Sequence, residues 1–163
     1  MAKGNVMDRI ITPGRIKYIR GPKIEGCIFC KDSIRENDLV LHEGETSYIV
    51  MNKYPYTTGH VMIVPYRHIC EVRDMTSSER IEMMNLLDMT IGALKKELNP
   101  EGFNVGMNLG KAAGAGVDYH LHLHVVPRWV GDTNFATVLG DVRIIPEDIE
   151  TTRKILLSSF GTG

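Results

Sequence analysis

The chain has little cysteine and almost no net charge. Three cysteines in 163 residues are an odd count, and two of them sit at Cys27-x-x-Cys30, so the disulfide framework that staples small secreted domains is not available. A formal net charge of −1 removes any bulk electrostatic case for nucleic acid or an anionic membrane. No apolar run reaches spanning length, and the opening MAKGNVMDRIITPGR lacks the hydrophobic segment of a secretory signal. Repeats and low-complexity tracts are missing too. A soluble, cytoplasmic protein with neither a nucleic-acid nor a membrane partner is the expectation.

What is present is ordinary in bulk: 43% hydrophobic and 24% charged residues, enough for one core and a single domain over 1–163. Charge is uneven in one place. Arg9, Arg15, Lys17, Arg20 and Lys23 occur with no acid between them, a solvated arm in the plainer reading and a holder of a polyanionic ligand in the sharper one.

Patterning predicts strands at 38–42, 47–52 and 60–65, which are short, rich in β-branched or apolar residues and bounded by Gly44, Pro55 and Gly59. A long helix follows. Thr76-Ser77-Ser78-Glu79 is a capping-box pattern, Ile81, Met84, Leu87, Ile91, Leu94 and Leu98 form a stripe read as core packing, and Asn99-Pro100 stops it. Further strands are expected at 102–109 and 119–127, joined by a glycine-rich stretch. A final helix opens near Pro146 and carries Ile149, Leu156 and Phe160. Strands, long helix, strands and helix make an α+β fold with a mainly antiparallel sheet.

The most unusual stretch is HLHLHVVPRW. Three of the six histidines, His120, His122 and His124, fall within five residues, alternating with leucine. In a strand the three imidazoles share one face, about 6.6–6.8 Å apart, while Leu121, Leu123 and Val125 seal the other against helices. Neutral imidazole can attack, donate or ligate, and a buried row without partners is costly. Two chemical readings stand. H-x-H is a chelating pair, and Asp118 could add oxygen. Alternatively the central imidazole is a nucleophile whose neighbours bind the anion it attacks. Roughly 13 Å between His120 and His124 on a straight strand disfavours all three meeting one ion.

His120-Leu121-His122-Leu123-His124-Val125-Val126 resembles the signature of the histidine triad (HIT) superfamily of nucleotide hydrolases and transferases. Asn52, Gly59-His60, Pro65-Tyr66-Arg67-His68 and Cys27-Ile28-Phe29-Cys30 look like further motifs of that family in the family's order. PRWVGDTNF (127–135) is most similar to the branch that includes bacterial diadenosine tetraphosphate phosphorylases. The resemblance runs from Cys27 to about Pro146, which divides the chain into a basic arm (1–26), a HIT core (27–146) and a C-terminal helix with tail (147–163). It implies a five-stranded antiparallel sheet with a long helix, paired as a homodimer.

Chemically, the resemblance makes His122 the nucleophile on the α-phosphorus of a nucleotide or dinucleoside polyphosphate, giving a nucleotidyl-histidine resolved by water or inorganic phosphate. His124 would support the non-bridging oxygens. Asn52 matches the ribose-binding residue and Asn108 an amide on phosphate. Gly110, Gly114 and Gly116 would let backbone amides turn to an anion beside Lys111. His60 belongs to the same set, bracing the triad strand from behind, and Arg128, Asp132 and Asn134 are candidates for a second phosphate. Many relatives carry Gln then Ser or Thr before the triad. Here Gly114-Ala115-Gly116-Val117-Asp118-Tyr119 lacks both, which tilts the expectation from hydrolysis to phosphorolysis. A nucleoside phosphoramidate hydrolase, a nucleotide-binding regulatory protein with little turnover and a metal-dependent hydrolase are the alternatives.

Cys27 and Cys30 read as half a zinc site or a redox pair. No strand-then-helix pattern supports the redox reading. In relatives with this opening the remaining ligands match His68 and His120, which implies a structural zinc held by Cys27, Cys30, His68 and His120 and no organic cofactor. Cys70 is expected to be a buried or indifferent thiol.

Overall fold

The structure, a computed structural model, describes residues 26–34, 37–114, 116–132 and 148–160. The basic run from Arg9 to Lys23, and also Asn134 and Pro146, lie outside them. Five strands form one sheet: β1 (Val40–Glu43), β2 (Ser47–Met51), β3 (Val61–Pro65), β4 (Gly102–Gly106) and β5 (Leu123–Arg128). Their order is β1-β2-β3-β5-β4, and every neighbouring pair is antiparallel. Among the described residues the α-helices are α1 (Lys31–Ile34), α2 (Ser77–Leu98) and α3 (Ile149–Phe160). The α+β class and the five-stranded antiparallel sheet agree with the sequence.

The central strands are covered on both faces, which is why β2 and β3 are buried at every position and, Ser47 apart, read as apolar runs. Ile49, Met51, Val61, Ile63, Leu123 and Val125 pack with Met83, Leu86 and Leu94 of α2 and Leu156 and Phe160 of α3. Tyr48, Val50, Met62 and Val64 face the other way, against Phe29, Ile34 and Val117. The Cys-x-x-Cys segment therefore builds the second layer of core. His124, paired in register with Met62, looks into this second side, away from the helices.

Two expectations need correction. The buried face of α2 is Glu79, Met83, Leu86, Thr90, Ala93 and Leu94. Ile81 and Met84 are 63% and 59% exposed, with Leu87, Ile91 and Leu98 at the core margin. A polar Glu79 and Thr90 occupy the inner line because each is satisfied there, so apolarity marks Leu94 and the margin residues Leu87, Ile91 and Leu98 but misplaces Ile81 and Met84. Also, β4 ends at Gly106 and β5 begins at Leu123, shortening both expected strands. Upstream of the ladder the chain departs from the sheet, and the Leu121 amide donates to the Ile69 carbonyl at 2.6 Å. Cys70 is exposed, which leaves the indifferent thiol of its two expected readings.

The capping box forms as expected: the Thr76 hydroxyl accepts from the Glu79 amide while the Glu79 carboxylate accepts from the Thr76 amide. That same carboxylate takes both Nε (2.7 Å) and Nη2 (2.9 Å) of Arg67. The start of α2 is thus tied to the segment leaving β3, one residue before His68. The Arg67 bond first, and the Thr76 bonds after it, hold the Glu79 carboxyl at about 2 against an ordinary 4.5, outweighing burial. A depressed carboxyl stabilises the fold above its ordinary value and loses that contribution as the pH falls through its folded value. Glu79→Gln is expected to cost about 1–2 kcal/mol at pH 7, discounted because Arg67 is half in solvent. The difference from the unsubstituted chain should fade from pH 4.5 toward 2, as urea unfolding across that range would measure.

Candidate active site

The three triad histidines are 1%, 6% and 8% exposed, and each imidazole has a different set of partners. His122 Nδ1 lies 2.8 Å from the carbonyl oxygen of His120. A carbonyl only accepts, so Nδ1 carries the proton and Nε2 keeps its lone pair. Burial holds this imidazole below its usual range, only partly opposed by that bond, so it is neutral at neutral pH.

His124 is fixed through a chain of donors. The Tyr56 backbone amide donates to His60 Nδ1 at 3.0 Å, which leaves the His60 proton on Nε2. That nitrogen is 3.0 Å from His124 Nδ1, so His124 accepts there and carries its own proton on Nε2. Beside that Nε2 lies the Asn108 amide nitrogen at 3.4 Å. Burial first, and the neighbouring His122 second, push His124 down to about 4. It is a neutral donor. The His122 and His124 rings lie 4.7 Å apart at 80°, so a lone pair and an N–H donor stand side by side.

His60 is wholly buried, and the Asn52 side-chain amide lies 3.4 Å from its Nε2. The loop between β2 and β3 can place them so because Gly59 has φ +73° and packs tightly on α2. A Cβ there would sit 2.5 Å from Leu98 Cδ1 and 3.2 Å from Leu94 Cδ2.

His120 faces a different group. Its Nε2 donates to the Pro65 carbonyl at 2.8 Å, leaving the Nδ1 lone pair 3.1 Å from Cys27 Sγ and 3.8 Å from Cys30 Sγ. Cys30 Sγ is 3.3 Å from His68 Nδ1. One ligand atom from each of Cys27, Cys30, His68 and His120 lies within 4.8 Å of the others. Two thiols and two imidazoles, with the free nitrogen of His120 turned inward by a carbonyl on its far side, suit a tetrahedral divalent ion of zinc's softness.

The structure thus separates the expected residues into two clusters that meet at His120. His60, His122, His124, Asn52 and Asn108 form one, and Cys27, Cys30, His68 and His120 the other. The glycine-rich loop turns through left-handed Gly110 (φ 79°) and Gly114 (φ 84°), with Lys111 nearly free in solvent, 3.9 Å from Asp118, and Gly116 exposed. Arg128 gives its guanidinium to Asp132 and Asn104. Sequence reasoning overlooked Tyr56, whose ring is 4.5 Å from His60 and 5.8 Å from His124. It also overlooked Phe29, whose ring is 5.3 Å from His122. Only their places, inside Asn52-to-His60 and inside Cys-x-x-Cys, could have drawn attention to them.

Comparison with known proteins adds the following. A family profile described as HIT domain matches residues 35–130. An AP-4-A phosphorylase of Mycobacterium tuberculosis is 45% identical over 125 residues, 77% of this chain. The chain spans only 64% of that relative's length. An uncharacterized HIT-like protein of Methanocaldococcus jannaschii is 34% identical over 75% of this chain and 93% of its own. A zinc-bound histidine triad family protein from Mycobacterium smegmatis has a similar structure, with TM-score 0.62, 28% identity and coverage of 75% and 83% of the two chains. A hypothetical histidine triad nucleotide-binding protein from Sulfolobus tokodaii gives 0.66, 25%, 82% and 91%.

The donor chain can be checked by nitrogen-15 NMR of the imidazoles. His60 and His124 should be Nε2–H tautomers, and His124 should stay neutral down to a midpoint of about 4. Because its folded value is depressed, the stability linked to neutral His124 is full above 6.5 and declines as the pH falls toward 4. A midpoint near 6.5 would mean that the ring is solvated and the chain of donors broken.

Proposed function

The chain belongs to the HIT domain family, and from that premise we propose that it cleaves dinucleoside polyphosphates of the diadenosine tetraphosphate kind by attack of His122 on the α-phosphorus. The observation that carries the proposal is the 2.8 Å bond from His122 Nδ1 to the His120 carbonyl. It leaves Nε2 of a neutral, buried imidazole as a nucleophile whose lone pair has no hydrogen-bond partner among the described residues.

In this reading Nε2 forms a bond to phosphorus as the bond to the leaving polyphosphate oxygen breaks. The electron pair goes to that oxygen, and a nucleotidyl-histidine remains. Covalent catalysis splits one hard displacement into two easier steps. Charge accumulates on the non-bridging oxygens, where the His124 Nε2–H and the Asn108 amide offer donors held in place beforehand. Such preorganised donors supply most of the advantage in phosphoryl-type transfer. Asn52 takes the ribose, and the turns at Gly110, Gly114 and Gly116 with Lys111 take the phosphate chain. Arg128 is a further phosphate contact.

Inorganic phosphate is the acceptor this reading favours. The polar pair missing before the triad leaves room for it, and the relative that is 45% identical is an AP-4-A phosphorylase. With diadenosine tetraphosphate as substrate, ATP and ADP should form only when phosphate is present, as chromatography of the products would show. His122→Ala should lower the rate at least about 10⁴-fold. Undiminished turnover in that variant would end the proposal, and ATP plus AMP regardless of phosphate would replace phosphorolysis with hydrolysis.

The proposal extends to zinc on Cys27, Cys30, His68 and His120, and to a homodimer. Bound there, the ion would crosslink the N-terminal segment to the triad. The β4 edge supports the second copy, being unpaired on one side among the described residues with Val105 43% exposed. Elemental analysis with light scattering on one reduced sample should find about one zinc per chain, in a particle of twice 18.3 kDa. Zinc-free protein of full activity, or a monomer, would remove the corresponding part.

A further inference from the structure

We propose that the Cys27–Cys30 knuckle is a clamp on the nucleophile, with Phe29 as a positioning residue for His122, so that filling the four-ligand cluster is felt at the attacking imidazole. This rests on the reading of His122 as the nucleophile. Two independent connections run from the cluster to that ring.

The first is His120. Its ring nitrogen Nδ1 belongs to the cluster, 3.1 Å from Cys27 Sγ, while its backbone carbonyl holds His122 Nδ1 at 2.8 Å. Its other nitrogen is pinned to Pro65. One residue therefore has three attachments, and the one through its carbonyl is the bond that chooses the His122 tautomer. If the ring of His120 shifts, its carbonyl shifts with it.

The second connection is Phe29, which lies between the two cysteines in sequence. It is 7% exposed, with its ring 5.3 Å from His122 at 45° and 5.8 Å from His120 edge-on. Its amide points to Cys27 Sγ at 3.4 Å, and its carbonyl accepts from the buried Tyr48 hydroxyl at 2.9 Å. A single hydrogen bond at Nδ1 leaves an imidazole free to rock about that point. With His124 nearly perpendicular at 4.7 Å and Phe29 also against the ring, the rocking is restricted. Phe29 has no polar atom to offer His122, so it contributes shape and excludes water.

The knuckle needs an anchor to do this. Among the described residues it continues into α1, four residues long and held by the buried Ile34, and a single turn adds little rigidity of its own. Ligation through both cysteines would hold Phe29 against the ring from either side. A displacement of the order of 1 Å in a reacting group costs about 10²-fold in rate.

The test uses the intact chain, zinc-loaded and reduced, with Phe29→Leu as the main variant and Phe29→Met as a second that keeps more bulk. Phe29→Leu is expected to keep about one zinc per chain and its affinity for AMP. The kcat should fall about 10- to 100-fold with KM within about threefold, and Phe29→Met should recover part of it. In nitrogen-15 and proton spectra the His122 Nδ1–H signal should be sharp in the loaded wild-type chain and broadened in Phe29→Leu. Broadening should also follow when wild-type protein is stripped with chelator, and reverse when zinc is added back. A His122 signal that stays sharp and unshifted in stripped wild-type protein would overturn the clamp, as would unchanged kcat in a zinc-retaining Phe29→Leu. Should Phe29→Leu fail to fold, the stripping arm decides alone. Should wild-type protein cleave no dinucleotide, the proposed function falls, while the His122 signal still judges the clamp.

Discussion

The hydrogen bond between His122 and the carbonyl of its own neighbour His120 is short, local in sequence and yet impossible in a regular strand. Side chains of an extended strand stand off the sheet, and backbone carbonyls are spent on the next strand. Here the ladder of β5 begins only at Leu123. Upstream, the Leu121 amide takes the Ile69 carbonyl instead, and the His120 carbonyl is available for an imidazole. A small departure from the sheet is what turns a titratable side chain into an oriented one.

The remaining architecture keeps that departure stable. On one side, α2 and α3 bury Leu121, Leu123 and Val125. On the other, the Cys-x-x-Cys segment brings Phe29 over the histidines. Burial without partners would be ruinous for three imidazoles. His120 is compensated by Pro65 and the sulfurs, His122 by the His120 carbonyl, and His124 by His60. The depression of all three below the ordinary range follows first from this desolvation. It keeps them uncharged, so the site offers donors and a lone pair rather than fixed positive charge.

The capping box at Thr76 and Glu79, the terminal helix carrying Leu156 and Phe160, and the alternation of histidine with leucine were all readable before any coordinates, because each depends on contacts a few residues apart. On α2 apolarity marks Leu94, Leu87, Ile91 and Leu98 against the core but not that Ile81 and Met84 face solvent, because it does not say which side of a helix meets the sheet. Glu79 holds an inner position only because Arg67, twelve residues earlier, meets it there. Tyr56 and Phe29 were passed over for a related reason. An aromatic ring is equally at home in a core or beside a catalytic group, and nothing within its own segment distinguishes the two.

By itself, then, the sequence determined which side chains carry chemistry and that the three triad histidines would project to one side, since a period of two is a property of the extended chain. It also determined that two cysteines and further histidines were available to ligate. Tertiary structure decided their division of labour. His120 turns to Cys27, Cys30 and His68, His122 lies between the His120 carbonyl and Phe29, and His124 turns to His60. That assignment depends on carbonyls and rings brought in from residues 65, 60, 29 and 108, and spacing along one strand holds no information about where those partners arrive.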